Sequence, residues 1–180
     1  MLLDEMSPGK DIPNDFNVII EIPANGSSIK YELDKKSGML AVDRFMPTSM
    51  YYPCNYGFIP STLADDGDPA DVLVVTPFPV QPGCLIRCRA IGLLKMTDEA
   101  GEDSKILALP IEKVCSQFAY MKTIQDLPPM LLETITHFFE YYKALEPGKW
   151  VKVTGWEGQE AATQEILSSI ERHKKTSSEQ

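Results

Sequence analysis

The sequence has few histidines, no long apolar run and no zinc-type cysteine pattern, and each shortage excludes a class of protein. Its 180 residues include two histidines and four cysteines. Cys84 and Cys88 are four residues apart with no histidine nearby, so reduced thiols in a cytoplasmic protein are expected rather than a zinc site. No stretch approaches the roughly eighteen apolar residues of a membrane span. The amino terminus also lacks the basic start and apolar run of a secretory signal.

Positive charge is scarce as well, and the shortage is local. Seventeen Lys and Arg face 26 Asp and Glu, which gives a formal charge of −9. Nucleic acids and anionic membranes require a positive surface, so neither is an expected partner. Two windows, Asp65–Asp71 and Asp98–Asp103, hold four acids each and no base. These eight acids account for nearly the whole excess, and we therefore expect chemistry in these windows.

The apolar pattern changes period along the chain. Beyond Pro128, apolar residues recur at helical spacing as far as Pro147, and a second helix follows one more short strand. The proline-rich segment 47–60 predicts a loop. Together these patterns predict an α+β fold, mainly β, in which a small β-barrel is flanked by two C-terminal helices. It forms a single domain over residues 1–180, with a polar tail at about 174–180. Strands are predicted at Val18–Ile22, Ile29–Leu33, Met39–Phe45, Val72–Thr76, Leu85–Met96 and Lys105–Leu109.

The first acidic window has the arrangement of a cation site. Gly67 lets the backbone bend between Asp66 and Asp68, and Asp71 begins an apolar strand that can hold it in place. Converging carboxylates repel one another unless a hard cation with oxygen ligands, such as Mg²⁺, Mn²⁺ or Ca²⁺, compensates them. An EF-hand does not fit, because its required glycine and bidentate glutamate are missing from their positions. A solvated acidic loop is the remaining alternative.

The second window and a set of cationic and phenolic side chains extend this site. A hairpin between two predicted strands would bring Asp98 and Asp103 together, which favours a multi-metal site over a solvated loop. Metals combined with Lys and Arg suit a highly charged phosphate substrate. Each cationic or phenolic candidate also has a purely structural interpretation, as a solvated strand residue, a helix-end cation or part of an apolar stripe. These candidates are Lys30, Arg44, Lys105, Lys143, Tyr52, Tyr56 and Tyr142.

The motifs together resemble a known family. The loop Asp66–Val72 reads Asp-x-Asp-Pro-x-Asp followed by an aliphatic residue. With the further segments Ile20–Pro23, Ile29–Glu32, Val42–Arg44, Tyr52–Gly57, Lys95–Asp103 and His137–Lys143, it makes nearly the whole chain similar to family I soluble inorganic pyrophosphatase of the bacterial type. One departure is Ala70, where the family usually has a larger aliphatic residue. The exchange predicts looser packing beneath the loop but removes no ligand.

This resemblance implies a fold, an activity and cofactors. The implied fold is an OB-like five-stranded β-barrel with helices, usually in a homohexamer. The implied reaction is hydrolysis of pyrophosphate to two orthophosphates by direct attack of a metal-activated water or hydroxide, without a phosphoenzyme. About three to four Mg²⁺ would act per site with substrate, Mn²⁺ would be able to substitute, and Ca²⁺ would inhibit.

The resemblance also implies a role for each matching residue. Asp68 would be the general base beside the nucleophilic water. The metal ligands would be Asp66, Asp71, Asp98, Asp103 and, chiefly through water, Glu21. The phosphoryl groups would be held by Lys30, Arg44, Tyr56, Lys105, Tyr142 and Lys143, with Glu32 and Tyr52 nearby.

Two other classes of function stay open at this stage. One is a non-catalytic divalent-cation-binding domain, which would use the same acidic loops. The other is a single-strand-binding OB domain, because tyrosines can stack on bases. The net charge of −9 disfavours the second class.

Overall fold

The chain is organised around a closed ring of five strands. The computed structural model describes residues 6–178. Within that range the strands are β1 (Gly9–Asp11), β2 (Asp15–Ile22), β3 (Ile29–Leu33), β4 (Leu40–Phe45), β5 (Asn55–Phe58), β6 (Asp71–Val74), β7 (Leu85–Asp98), β8 (Gly101–Glu102), β9 (Lys105–Pro110) and β10 (Val151–Gly158). The α-helices are α1 (Pro129–Tyr141) and α2 (Gln159–Ser178), and short 3₁₀ turns occupy Ser116–Phe118 and Ile124–Asp126.

The ring closes through strands that are distant in sequence. β2 pairs with β5, β5 with β6, β6 with β9 and β9 with β7, and β7 returns to β2. All of these pairs are antiparallel except β6 and β9, which run parallel. β10 extends β7 on its other side, while β3 and β4 form a separate hairpin. The predicted OB-like five-stranded barrel with two helices is therefore confirmed.

Strand β5 was not predicted, because its segment was interpreted as a loop. Its four residues alternate polar and apolar types between prolines, so they give no strand signal of useful length. All four are nevertheless buried. A side chain at Gly57 would bring a Cβ within 2.0 Å of the Ile19 carbonyl oxygen, so glycine is what allows β5 to approach β2 closely. Buried Asn55 donates to the Val74 carbonyl at 2.9 Å and accepts from the Val80 amide at 2.8 Å.

The barrel strands are buried on both faces, which explains their continuous apolar character. On β6, Val72 and Val74 belong to the core that packs against α2, whereas Leu73 between them belongs to the core that packs against α1. The α2 side of this packing comes from Ala162, Ile166 and Ile170, all buried. A strand held from both sides keeps its first residue in a fixed place, and Asp71 is that residue in β6.

The helices differ from the prediction at their ends. α1 ends at Tyr141 rather than near Pro147, and Leu145, predicted to lie on the apolar stripe, is 70% exposed. The tail predicted from residue 174 is helical as far as residue 178, and its last two residues lie outside the described range, as do residues 1–5. Between residues 6 and 178, neither helix is both long and apolar enough to cross a bilayer.

Candidate active site

The parallel pairing of β6 and β9 places a carboxylate beside an ammonium group. Val72 lies opposite Ile106, so the preceding residues, Asp71 and Lys105, are neighbours at one end of the barrel. Lys105 Nζ donates to Asp71 Oδ2 and to Asp103 Oδ1, each at 2.5 Å. Two carboxylates from different loops are thereby drawn to one buried cation.

This ammonium group is almost completely removed from water. Lys105 is 4% exposed, and its Nζ lies 5.5 Å from the centre of the Tyr56 ring. Burial alone lowers the pKa of Lys105, but the facing Asp71 and Asp103 carboxylates raise it well above its usual value. Burial raises the pKa of Asp103 in spite of the lysine. Lys105 therefore stays protonated, whereas the charge on Asp103 is only partly compensated.

The turn from β7 to β9 supplies the second group of acids. β8 folds back on β7, and the Asp103 amide donates to the Met96 carbonyl at 3.0 Å. Asp98 accepts hydrogen bonds from the Ala100 amide and from Lys143 Nζ, both at 2.8 Å. Burial raises the pKa of Asp98, but Lys143 and the Ala100 amide outweigh it and lower the pKa below its usual value. As predicted, this hairpin brings Asp98 and Asp103 to one cavity.

The hairpin of β3 and β4 presents two cations. Lys30 and Arg44 are cross-strand partners, and their side chains are 24% and 27% exposed. Lys30 Nζ lies 2.5 Å from Glu32 Oε1, and Arg44 Nη1 lies 2.9 Å from Asp43 Oδ2. Arg44 Nε lies 2.9 Å from Glu146 Oε1. Asp43 and Glu146 were not predicted as site residues, and Glu146 could not be, because it comes from a distant turn after α1.

The first acidic window forms a tight loop at the mouth of the cavity. Gly67 has a φ of +90°, which L-residues with side chains rarely adopt. The Asp68 amide donates to Asp66 Oδ1 at 3.0 Å. Both carboxylates are exposed, whereas Ala70 is 2% exposed. The small side chain of Ala70 borders a cavity of about 20 Å³ behind the loop, where the sequence predicts looser packing.

Glu21 reaches the site through an irregularity in β2. The register against β5 shifts between Ile20 and Ile22, so the residue between them falls at a bulge. Glu21 is 8% exposed, and its Oε1 accepts the Leu33 amide hydrogen at 2.7 Å. Burial raises the pKa of Glu21 from 4.5 to about 7 against the effect of that hydrogen bond, and the negative charge of Asp71 adds to the increase.

Three tyrosines form one wall of the cavity. Tyr52, Tyr56 and Tyr142 are 3%, 9% and 7% exposed. The Tyr52 ring lies 5.3 Å from that of Tyr56 and 6.4 Å from that of Tyr142, and Phe138 packs at 4.6 Å beneath it. Burial raises the pKa of all three phenols. They are therefore neutral hydroxyl groups that can donate hydrogen bonds at neutral pH.

These elements enclose a cavity of about 270 Å³. Twelve predicted site residues line it: Lys30, Arg44, Tyr52, Tyr56, Asp66, Asp68, Asp71, Asp98, Asp103, Lys105, Tyr142 and Lys143. The other two, Glu21 and Glu32, line an adjoining cavity of about 180 Å³ that shares Lys30, Asp68 and Asp71 with the first. Glu99 and Lys149 also line the larger cavity. No motif marks Lys149, and Glu99 gives no signal beyond its place in the acidic window.

The cavity offers carboxylate oxygens as donors for a metal ion, but lysines hold several of them. Among residues 6–178, no group of three or more His, Cys, Asp or Glu side chains is arranged to hold one. The cause is visible, because Lys105 bridges Asp71 and Asp103 while Lys143 holds Asp98. The donors themselves fit a hard divalent cation, since they are all carboxylate oxygens. The raised pKa of Asp103 also indicates negative charge that a further cation would stabilise.

Comparison with known proteins gives a consistent result. The model of the inorganic pyrophosphatase family matches residues 18–174. An inorganic pyrophosphatase from Yersinia pestis is 61% identical over 97% of this chain and 100% of its own length, and one from Ralstonia nicotianae is 60% identical over the same shares. The solved structure of an inorganic pyrophosphatase from Coxiella burnetii is 62% identical, with a TM-score of 0.91 over 93% of this chain and 99% of that one.

The burial of Glu21 predicts a pH-dependent stability in metal-free buffer. The folded state keeps the Glu21 proton up to about pH 7 and the unfolded state loses it near 4.5, so the free energy of unfolding falls as the pH rises through this window. At about 1.4 kcal/mol per pKa unit, Glu21→Gln should be on the order of 3 kcal/mol more stable than the parent at pH 8, and equal near pH 4. Urea unfolding with a chelator measures this, with the exposed Glu133→Gln as control. Parallel pH profiles for parent and Glu21→Gln would contradict the assignment.

Proposed function

The chain belongs to the inorganic pyrophosphatase family and so hydrolyses pyrophosphate, and we propose that water attacks one phosphorus directly, with Mg²⁺ as the metal and Asp68 as the general base. One observation carries this proposal. Six carboxylates and five cationic side chains line a single cavity of about 270 Å³. Membership of the family implies a divalent metal cofactor in general, while the identity and number of the ions belong to the proposal.

The carboxylates would hold the metal. We assign Asp66, Asp71, Asp98 and Asp103 as direct ligands and Glu21 as a ligand through water. When bound, about three to four Mg²⁺ would offset the negative charge of pyrophosphate and lower the pKa of a bound water toward ~7. The carboxylates bonded to Lys105 would have to share their oxygens between the ammonium group and the metal. The second oxygen of each carboxylate makes this sharing feasible.

In this proposal Asp68 would receive the proton of the attacking water. Its carboxylate is exposed at the mouth of the cavity, whereas Asp71, two positions beyond Pro69, faces Lys105. The hydrogen bond from the Asp68 amide to Asp66 Oδ1 fixes the backbone. Among residues 6–178, no ion pair joins the Asp68 carboxylate to a cationic side chain, whereas Asp71 and Asp65 each have one. A free carboxylate can take the proton of the attacking water while that water adds to phosphorus.

The cations and phenols would hold the two phosphoryl groups. Lys30 and Arg44 approach from the β3–β4 hairpin, and Lys143 approaches from beyond α1. Their charge would stabilise the equatorial oxygens of the transferred group and the leaving orthophosphate. Neutral Tyr56 and Tyr142 would donate hydrogen bonds without adding to the negative charge.

The nucleophilic side chains of the chain support direct attack by water. Neither His137 nor His173 lines the cavity. Cys54 and Cys88 are buried, and burial raises the pKa of the Cys54 thiol to about 12 and that of Cys88 further, so neither is a thiolate at neutral pH. The cavity walls offer no Ser, Cys or His as a nucleophile, and the proposal assigns their aspartates to metal binding and proton transfer, which favours a single displacement.

The two rival functions lose support. A non-catalytic cation-binding domain needs only the acidic loops and gives no reason for the lysines, arginine and tyrosines around them, and the comparisons do not favour it. A single-strand-binding domain would present open aromatic faces to bases. Tyr52, Tyr56 and Tyr142 are buried against one another and against α1 instead.

We further propose a single domain over residues 1–180 that assembles as a homohexamer in the cytoplasm. Large apolar side chains that are exposed in a single chain, such as Phe45 at 74% and Phe78 at 80%, support association. Four free cysteines support a reducing compartment.

The most direct test of the function is release of orthophosphate from pyrophosphate. Purified protein should release it with millimolar Mg²⁺, at a reduced rate with Mn²⁺, and hardly at all with Ca²⁺, because Ca²⁺ binds oxygen ligands but is a weaker activator of water. A colorimetric phosphate assay with each metal measures this. Absence of release with Mg²⁺ would end the proposal, and equal rates with Ca²⁺ and Mg²⁺ would contradict the role of the metal.

The role of Asp68 is tested by Asp68→Asn, which keeps the shape of the side chain and removes its basicity. The variant should bind Mn²⁺ as the parent does while its rate falls by roughly 10²–10⁴-fold. Asp65→Asn, in the same loop but with its carboxylate against Arg172, serves as the matched control and should keep most of the rate. Full activity of Asp68→Asn would remove Asp68 as the base.

A further inference from the structure

The acidic loop is attached to helix α2 at Leu63, shortly before Asp66, the first proposed metal ligand of the loop. The Leu63 amide donates to the Ser169 carbonyl at 2.9 Å. The Leu63 carbonyl accepts from Arg172 Nε at 2.8 Å. Both backbone polar groups of one residue are thus bonded to a helix that is more than 100 positions away in sequence, and Ser169 is fully buried at this contact.

Arg172 connects this contact to the surrounding charges. Its Nη2 donates to Ser169 Oγ at 3.1 Å and to Glu165 Oε1 at 3.3 Å. Its Nη1 lies 3.1 Å from Asp65 Oδ1. The guanidinium group therefore bonds to α2 on one side and to the loop on the other, with the planar geometry that suits several partners at once.

The attachment continues from Leu63 to the proposed general base. Directly after Leu63, the Ala64 amide donates to the Asp68 carbonyl at 2.7 Å, and the Gly67 amide donates to the Ala64 carbonyl at 3.2 Å. Arg172 therefore holds Leu63, and the next residue, Ala64, is hydrogen-bonded to the backbone of Asp68. A shift of Leu63 would be passed on to this carboxylate.

The far end of the loop is held by hydrogen bonds that do not involve α2. The Ala70 amide donates to Thr62 Oγ1 at 3.0 Å, and the Ala70 carbonyl accepts from the Ile59 amide at 3.0 Å. Thr62 is 3% exposed. This end lies in the apolar core, so loss of the contact with α2 should loosen the outer part of the loop, with Asp66 and Asp68, more than Asp71.

We propose that Arg172 is a positioning residue for the metal-binding loop, acting through Leu63 and Ala64 on Asp66 and Asp68. The inference rests on the proposed function, because it concerns ligands that the proposal assigns. Within residues 6–178, the side-chain hydrogen bonds and ion pairs of Arg172 go to Leu63, Asp65, Glu165 and Ser169. None of these residues lines the cavity of about 270 Å³, so the effect of Arg172 would be on the geometry of the ligands.

The effect of removing Arg172 on metal affinity has opposite signs for a positioning role and for a purely electrostatic one. A cation beside a cluster of carboxylates repels an incoming metal ion, so its removal should increase metal affinity if charge were its only contribution. A positioning role predicts a decrease on removal. The direction of the change therefore separates the two explanations.

The experiment uses the full chain with Arg172→Gln, and Lys174→Gln as control. Lys174 is exposed on the same helix, and its replacement by Gln removes the same charge. Mn²⁺ affinity of the metal-free protein, measured by electron paramagnetic resonance, should fall about 10-fold in Arg172→Gln, the lower end of the range for outer partners of metal ligands. Amide hydrogen exchange over residues 63–68 should become faster, with exchange in β6 unchanged. The control should show neither effect.

A second variant keeps the test decisive if Arg172→Gln folds poorly. Arg172→Lys keeps the charge and can still reach one acceptor, so it should recover part of the affinity. It should also recover part of the Mg²⁺ dependence of the rate, with kcat at saturating Mg²⁺ close to that of the parent. Unchanged or tighter Mn²⁺ binding in folded Arg172→Gln, or equal loss in Lys174→Gln, would overturn the inference. Failure of the parent to cleave pyrophosphate would instead reject the proposed function, while the exchange experiment would still test the contact.

Discussion

The site depends on one constraint, that several carboxylates and several cationic side chains share one cavity whose inner wall is buried. Lys105 shows the constraint most directly, because its ammonium group is 4% exposed and lies 2.5 Å from oxygens of both Asp71 and Asp103. Such a pairing is stable only while both partners are present and ionised. The barrel supplies the required rigidity, since β6 and β9 are packed on both faces and each begins with one of these residues.

The same constraint explains the composition of the cavity walls. Six carboxylates against five cations leave the larger cavity nearly neutral in the absence of other ions. Pyrophosphate carries several negative charges, so its entry requires additional positive charge. Divalent cations held by the carboxylates would supply it, and Lys30, Arg44 and Lys143 would then face the phosphoryl oxygens. The acids behind the formal charge of −9 are thus concentrated in two loops, and four of those eight, Asp66, Asp71, Asp98 and Asp103, are the proposed direct metal ligands.

Much of this arrangement follows from the sequence, and the parts that do not have identifiable reasons. Alternation and β-branched runs predict β2, β3, β4, β6, β7 and β9. The resemblance of the motifs supplies fourteen candidate residues, and all of them line two adjoining cavities. Strand β5 is hidden because a four-residue strand between prolines has no usable period. The partners Glu146 and Arg172 are hidden because their roles arise from contacts between distant elements, which periodicity does not report. Asp43 lies beside Arg44 in one hairpin, where no spacing singles it out.

The cavity should accept pyrophosphate only together with divalent cations. This expectation is tested most directly by measuring pyrophosphate binding to Asp68→Asn calorimetrically, which separates binding from turnover. We expect negligible affinity in chelator and a gain of roughly 100-fold or more with millimolar Mg²⁺, near the upper end of typical couplings between two ligands. Equally tight binding of pyrophosphate with and without Mg²⁺ would contradict it.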